Sequence, residues 1–245
     1  MNVKALLSDI QRSPDYAGQV VYARDVPARP ARFADPSHPL APAVSAMLEH
    51  RGIARLYCHQ AEAIDRVHDG EDVLVVTGTA SGKSLCYVVP MVEMLIADPD
   101  AKALLLFPTK ALCQDQFRGF SQALDAAGLA HIVAGVYDGD TPSPMRRKLR
   151  DQASVVYSNP DMLHAALMPQ HARWAQFLAR LELLVIDEVH VYSGIFGSNA
   201  ANLFTRFLRV CRHYGSEPRI VACSATIGNP KELAEQLTGR EMALV

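Results

Sequence analysis

Asp72-Val73-Leu74-Val75-Val76, followed directly by Thr77-Gly78-Thr79-Ala80-Ser81-Gly82-Lys83-Ser84, is the stretch whose reading decides the fold. The first five residues form a β-branched apolar run of the kind buried on both faces of a parallel sheet. The next eight are small or polar, and Leu85 to Ile96 then supplies an apolar segment long enough for a buried helix. Strand, small-residue turn and Gly-Lys-Ser at a helix start are the setting a phosphate-binding loop requires. Unpaired N–H groups at the helix N-terminus face an anion there, and the helix dipole favours negative charge. Lys83 is placed to reach the β- and γ-phosphates, and Ser84 to offer its hydroxyl to Mg²⁺. Thr77 stands where the strict pattern G-x-x-x-x-G-K-[ST] has glycine. Gly78 and Gly82 still permit a tight turn. Taken alone, an ordinary strand–helix turn carrying Gly-Lys-Ser remains the alternative.

The chain has 245 residues, enough for one large α/β domain or two small ones. No apolar run approaches the roughly 20 residues of a membrane span, so no membrane partner is expected. Charge interrupts the short apolar N-terminus, so no signal peptide is expected. The five cysteines are scattered without a C-x-x-C pair, which points to reduced thiols in a cytoplasmic protein and not to a disulfide frame or zinc site. A net charge of −2 gives no global pull on nucleic acid, so such binding would need a local groove. Residues 1–39 carry Pro14, Pro27, Pro30, Pro36 and Pro39 and read as an N-terminal extension without assigned chemistry. Residues 40–240 read as the domain.

Within that domain, apolar runs at 103–107, 131–136, 154–157, 181–186 and 219–223 predict five further strands, each ending in polar residues. Open α/β sheets bind ligands at that carboxyl edge. Upstream of the loop, Gln60 carries an amide that can both donate to and accept from one edge of adenine, or can simply be a solvated helix residue. Its neighbour His59 reads as structural. Thr109 and Lys110 follow the second strand and are candidates for contact with a phosphate backbone. Asn159-Pro160-Asp161 follows the fourth; Asp161 is a candidate helix cap there, with phosphate contact as the sharper reading. Met145 to Arg150 is a basic helical patch, a nucleic-acid rim or a solvated face.

The fifth strand ends in Asp187-Glu188-Val189-His190, two adjacent acids that are costly to bury unless something neutralises them. A Mg²⁺–triphosphate beside Lys83 would do so, with Asp187 holding the metal through its waters and Glu188 polarising the attacking water. The sixth strand ends in Ser224-Ala225-Thr226. Between them, Ala200 to Tyr214 is an amphipathic helix whose polar side carries Arg206, Arg209 and Arg212, a basic stripe or a solvated face.

Taken in order, Gln60, Gly78–Ser84, Pro108–Leu112, Ser158–Leu163, Asp187–His190 and Ser224–Thr226 resemble the Q motif and motifs I, Ia, Ib, II and III of the first motor domain of a superfamily 2 helicase. The resemblance covers about residues 40–235. It implies an α/β, RecA-like P-loop NTPase domain, with a mostly parallel central sheet and helices on both faces. Leu56-Tyr57-x-His59-Gln60, Gly78 to Ser84 and Tyr192-Ser193-Gly194-Ile195-Phe196-Gly197-Ser198 are similar to the bacterial mitomycin-repair helicases (the YprA or MrfA type), relatives of fungal RecQ-like repair helicases. That likeness implies ATP and Mg²⁺ as cofactors, with Gln60 and residues Thr79, Ala80, Ser81, Gly82, Lys83 and Ser84 binding the nucleotide. Ser84 and Asp187 hold the metal, and Lys83, Asp187, Glu188 and His190 carry the chemistry. It further implies 3′-to-5′ translocation on DNA, single-stranded or tailed, contacted by Thr109, Lys110 and Asn159 to Asp161. Ser224, Ala225 and Thr226, with His190, would couple the two sites.

Motifs of a second motor domain and a zinc-ligand cluster are not found in the sequence, which reads as an expressed fragment or a truncated gene product. An arginine finger from a second motor domain is typically worth ~10³ or more in rate. The expectation is that these residues alone bind ATP–Mg²⁺ and hydrolyse it very slowly. The rival readings are a nucleotide-gated nucleic-acid- or protein-binding module without helicase activity, an RNA helicase, and an unrelated P-loop kinase or transport ATPase. The order of the motifs disfavours the last.

Overall fold

A computed structural model describes residues 2–24, 27, 30–78 and 81–245. The chain divides into two units, residues 1–31 and residues 32–245. The first holds helix α1 (Val3–Arg12), capped by Asn2, whose side chain accepts from the Ala5 N–H.

The second unit is built on seven strands: β1 (Val73–Val76), β2 (Lys102–Leu106), β3 (Ala134–Val136), β4 (Val155–Ser158), β5 (Leu181–Ile186), β6 (Arg219–Ser224) and β7 (Ala243–Leu244). They form one sheet in the order β3-β4-β2-β5-β6-β1-β7, and every pair is parallel. The sheet is two-sided because each strand alternates between two cores. Val73, Val75, Leu105, Val185 and Val221 face one, while Leu74, Leu104, Leu184, Ile186 and Ala222 face the other. Helices α2 (Pro42–His50), α3 (Cys58–His68), α4 (Leu85–Ala97) and α5 (Lys110–Ala126) pack on the first face. The second face receives α6 (Ser143–Gln152), α8 (Ala175–Ala179), α9 (Gly194–His213) and α10 (Pro230–Thr238), and the single turn α7 (Pro160–Met162) follows β4.

The six expected strands are present, with bounds that differ from the expected ones by up to three residues. Asp72 lies just outside β1, buried, where it accepts from the Ile220 N–H at 2.7 Å and pairs with Arg240 at 2.5 Å. The seventh strand is a correction. The stretch 241–245 falls outside the domain bounds read from the sequence, yet Ala243 and Leu244 pair with Val73 and Leu74. Two residues are too few for an alternating pattern to declare a strand, and only the neighbouring edge defines this one.

The strand order positions the site. In sequence the motif-bearing strands run β1, β2, β4, β5, β6; across the sheet they lie β4, β2, β5, β6, β1. The phosphate-loop candidate, the Asp-Glu pair and Ser224–Thr226 therefore share one half of the carboxyl edge. Thr109 and Asn159–Asp161 occupy the other half.

Candidate functional site

The loop after β1 is held from three sides. Thr77 donates its N–H to the Ser224 carbonyl at 3.4 Å, and its hydroxyl lies 2.5 Å from that of Ser81. The Lys83 ammonium donates to the carbonyls of Thr77 and Gly78 at 3.1 Å each. Gly82 has φ +78°, and a Cβ there would stand 2.5 Å from the Gln60 amide nitrogen. Glycine is thus required twice, by backbone conformation and by space. Among the described residues no acceptor takes the N–H groups of Gly82, Lys83 and Ser84, which lead into α4. That donor set, with an ammonium beside it, fits an oxyanion such as a phosphate. Thr79 and Ala80, also assigned to the nucleotide, lie outside the described residues.

Gln60 is 2% exposed, and both ends of its amide are engaged. Oε1 accepts from the Tyr57 N–H at 2.8 Å, and Nε2 donates to the Gly82 carbonyl at 2.9 Å. The side chain caps α3 and ties it to the loop, which the sequence alone does not reveal. Nor does the sequence reveal the aromatic neighbours. Phe33, on the stretch assigned no chemistry, stacks on Tyr57 (5.3 Å between centroids, 12°), which stacks on His59 (5.7 Å, 12°). Arg55 lies over Phe33 at 5.5 Å. An antiparallel bridge between Phe33 and Tyr57 fastens this strap to the start of α3. His59 Nε2 is buried without a hydrogen-bond partner, and burial, with Lys83 nearby, lowers the pKa of the ring.

Asp187 follows β5 and is 7% exposed. Its Oδ1 accepts from the Glu188 N–H at 2.8 Å, and its Oδ2 from the Tyr87 hydroxyl at 3.3 Å. Burial pushes its pKa up to about 6, with the Glu188 carboxylate adding to the push while the Glu188 N–H, Tyr87 and Lys83 oppose it. Such a carboxyl is short of positive charge, which suits it to a divalent cation. No group of three His, Cys, Asp or Glu side chains that could hold a metal exists among the described residues. A cation here would take Asp187 and Ser84 and complete its shell from phosphate and water.

Glu188 has φ +53°, the only non-glycine residue with positive φ among those described. A left-handed Glu two residues after β5 is a strained backbone conformation. Its Oε2 is buried without a hydrogen bond, 3.2 Å from His190 Nδ1. The same nitrogen lies 3.2 Å from the Ala225 N–H. One nitrogen cannot accept from Ala225 and donate to Glu188 together. As an acceptor from Ala225 it leaves the Glu188 oxygen without a donor; protonated, it serves Glu188 and releases Ala225. Ser224 is fully buried and donates its hydroxyl to the Ala225 carbonyl at 2.9 Å, and Thr226 is exposed at the edge. His190 therefore bridges the Asp-Glu pair to Ser224–Thr226.

On the other half of the edge, Thr109 caps α5 by accepting from the Leu112 N–H at 3.3 Å, and exposed Lys110 pairs with Asp140 at 2.9 Å. The helix cap after β4 is Asn159, whose side chain accepts from the Met162 N–H at 2.9 Å. Asp161, the sequence candidate for that cap, sits instead exposed in the first turn. In the basic patch 145–150, Arg146 is structural: it donates to the carbonyls of Thr141, Asp138 and Gly139.

The family model for DEAD/DEAH box helicases matches residues 57–233. The chain belongs to the DEAD/DEAH box helicase family. It is 43% identical over 98% of its length to the ATP-dependent helicase YprA of Bacillus subtilis, of which it covers 31%. It is 37% identical over 99% of its length to the ATP-dependent helicase HRQ1 of Saccharomyces cerevisiae, of which it covers 23%. A crystal structure of the DUF1998 helicase MrfA bound to DNA superposes with TM-score 0.91 and 42% identity, over all of this chain and 34% of that one. The chain thus spans about a third of the length of these relatives, or less. It carries the helicase family's domain, with the RecA-like fold.

Helix α3, β1 and its loop, and the ends of β5 and β6 thus bring Gln60, Ser81–Ser84, Asp187–His190 and Ser224 into one connected network. Thr109, Lys110 and Asn159–Asp161 lie apart from it along the same edge. Among the described residues, no helix is long and apolar enough to cross a membrane. All five cysteines are free thiols.

Proposed function

We propose that residues 40–240 form the first RecA-like motor domain of a 3′-to-5′ DNA helicase acting in DNA repair in the cytoplasm. In this reading they bind ATP at the β1–β5–β6 half of the edge and one DNA strand at the β2–β4 half. The observation that carries the reading is the convergence of Lys83, Asp187, Glu188, His190 and Ser224 at the ends of the three adjacent strands β1, β5 and β6. The relatives' names support the choice of activity, and the likeness to MrfA, solved with DNA bound, supports DNA over RNA.

In this reading Lys83 leaves the loop carbonyls for the β- and γ-phosphate oxygens, and the N–H groups of Gly82 to Ser84 close on the same oxygens. Ser84 and Asp187 would hold Mg²⁺, which would supply positive charge to offset the triphosphate. Glu188 accepts hydrogen bonds from the attacking water and takes its proton. Gln60 reports the adenine to the loop through Gly82. His190 passes the change at Glu188 to Ala225 and the Ser224–Thr226 turn. Thr109, Lys110, Asn159, Pro160 and Asp161 hold the strand by its backbone. Full turnover and unwinding belong to the whole protein, where a second motor domain would contribute the charge that speeds hydrolysis.

Binding of a fluorescent ATP analogue to the 245-residue chain tests the site itself. Replacing the charge-assisted bonds of Lys83 through Lys83→Ala is expected to weaken binding by about 10- to 100-fold. Equal affinity in wild type and variant removes Lys83 from the site and the reading with it.

A further inference from the structure

From the geometry of α9 we infer a second surface for nucleic-acid backbone, on the flank of the domain beside the strand-binding half of the edge. The inference rests on the reading of the domain as a nucleic-acid motor and names a contact which that reading does not use.

Residues 162–181 and 189–216 contain no Asp or Glu, in a chain whose net charge is only −2. Those stretches meet in space. The kinked 3₁₀ segment Met168–Trp174 and α9 enclose an open groove of about 630 Å³ lined by Met168, Pro169, His171, Arg206, Arg209 and His213. Arg206 and Arg209 are exposed, and neither has an ion pair or hydrogen bond among the described residues. His171 is fixed by a 2.8 Å hydrogen bond between its Nδ1 and the Tyr214 hydroxyl, and Tyr214 packs edge-on against His213 (5.0 Å). Unpaired guanidinium groups, ordered imidazoles and no acid make a surface for an anion. An open groove along a helix suits a polyanion better than a small one.

The structure also redraws the stripe visible in the sequence. Arg206, Arg209 and Arg212 are evenly spaced, but each step of three residues turns the helix by about 60° short of a full circle. Arg212 therefore leaves the face and joins a separate groove with Glu217 and Arg240. His213 takes its place. Arg206 to His213 span about 10 Å of helix axis, comparable to about three base-pair steps of duplex rise at ~3.4 Å each. The groove wall is continuous with the strand-binding half: the π-helical turn Leu163–Leu167 joins the Asn159 cap to Met168. The partner is thus the phosphate backbone of DNA running off the edge past Asn159.

The test is DNA binding by the 245-residue chain across a salt series, with a fluorescent short single strand and a fluorescent tailed duplex. Arg206→Ala/Arg209→Ala is expected to weaken binding of the tailed duplex by about tenfold or more and to reduce the salt slope by about 2. Arg206→Lys/Arg209→Lys should keep most of both, and Arg212→Ala should change neither. Loss on the short strand as well would mean that its own phosphates reach the groove, which supports the same contact. An unchanged affinity and slope in the double alanine variant overturns the inference, as does an equal loss in Arg212→Ala. So does a chain that binds no DNA, or a groove that takes poly-glutamate in place of DNA. Binding of the ATP analogue, measured in the same samples, stands apart from all these outcomes and judges the motor reading by itself.

Discussion

Asp187 carries the least comfortable charge at the site. It is buried beside Glu188, and its carboxyl holds a proton up to about pH 6, above the ordinary carboxylate range. Between that range and about pH 6 the folded state binds more protons than the unfolded chain. Stability contributed at this position therefore falls as pH rises through the window, and the cost is fully present above it. Asp187→Asn is expected to stabilise the nucleotide-free chain at pH 7 to 8, by on the order of 2 kcal/mol. The gain should vanish in thermal melts run below the ordinary carboxylate range, and the variant should lose Mg²⁺-dependent nucleotide binding. A variant less stable than wild type at neutral pH would show that Asp187 is already neutralised by its neighbours. Gly82→Ala is the sterner substitution, because it forces a left-handed alanine into the space of the Gln60 amide. A loss of about 1–3 kcal/mol in denaturant melts, with loss of ATP-analogue binding, is expected. Asp187, Glu188 and Lys83 are legible in the sequence because strand ends announce themselves and charged residues stand out beside them. The left-handed Glu188 and the two-way engagement of Gln60 are not. Both depend on groups far apart in the chain.

At the level of elements, the loops owe their shape to caps that the sequence suggests only in part. Thr109 and Asn159 each accept a single backbone N–H, so Thr109→Ala and Asn159→Ala should cost about 1 kcal/mol apiece in thermal stability. Both should also weaken single-strand binding. Loss of stability without loss of binding would leave the two residues as caps alone. Asp161 reads as the cap in the sequence because acids favour that role, but Pro160 occupies the first helical position and sets Asn159 as the residue before it. The strap around Phe33 is invisible there for a different reason. Its structure comes from a bridge to Tyr57 and a ring stack, and no periodicity encodes either. Phe33→Ala removes the outer ring and is expected to lower the melting temperature modestly. A larger effect on ATP-analogue binding than on stability would give the stack a part in base capture.

For the whole molecule, the sheet order turns a linear series of short motifs into two neighbouring half-sites. The sequence carries the series and six strands, because parallel strands buried on both faces read as continuous apolar runs. It carries neither their lateral order nor the two-residue edge strand β7, since pairing partners leave no local signature. Strand order places His190 and Ala225 together and sets the half proposed for the nucleotide beside the half proposed for the nucleic-acid strand. The central proposal is that ATP is hydrolysed at Glu188 and that a DNA strand held along the same edge stimulates this turnover. It is tested most directly by steady-state ATP turnover of the complete natural protein with single-stranded DNA, with RNA and with neither, beside Glu188→Gln. Turnover should rise with single-stranded DNA and fall by about 10²- to 10⁴-fold in Glu188→Gln, while nucleotide binding persists. Turnover indifferent to DNA, or near-normal in Glu188→Gln, would contradict it.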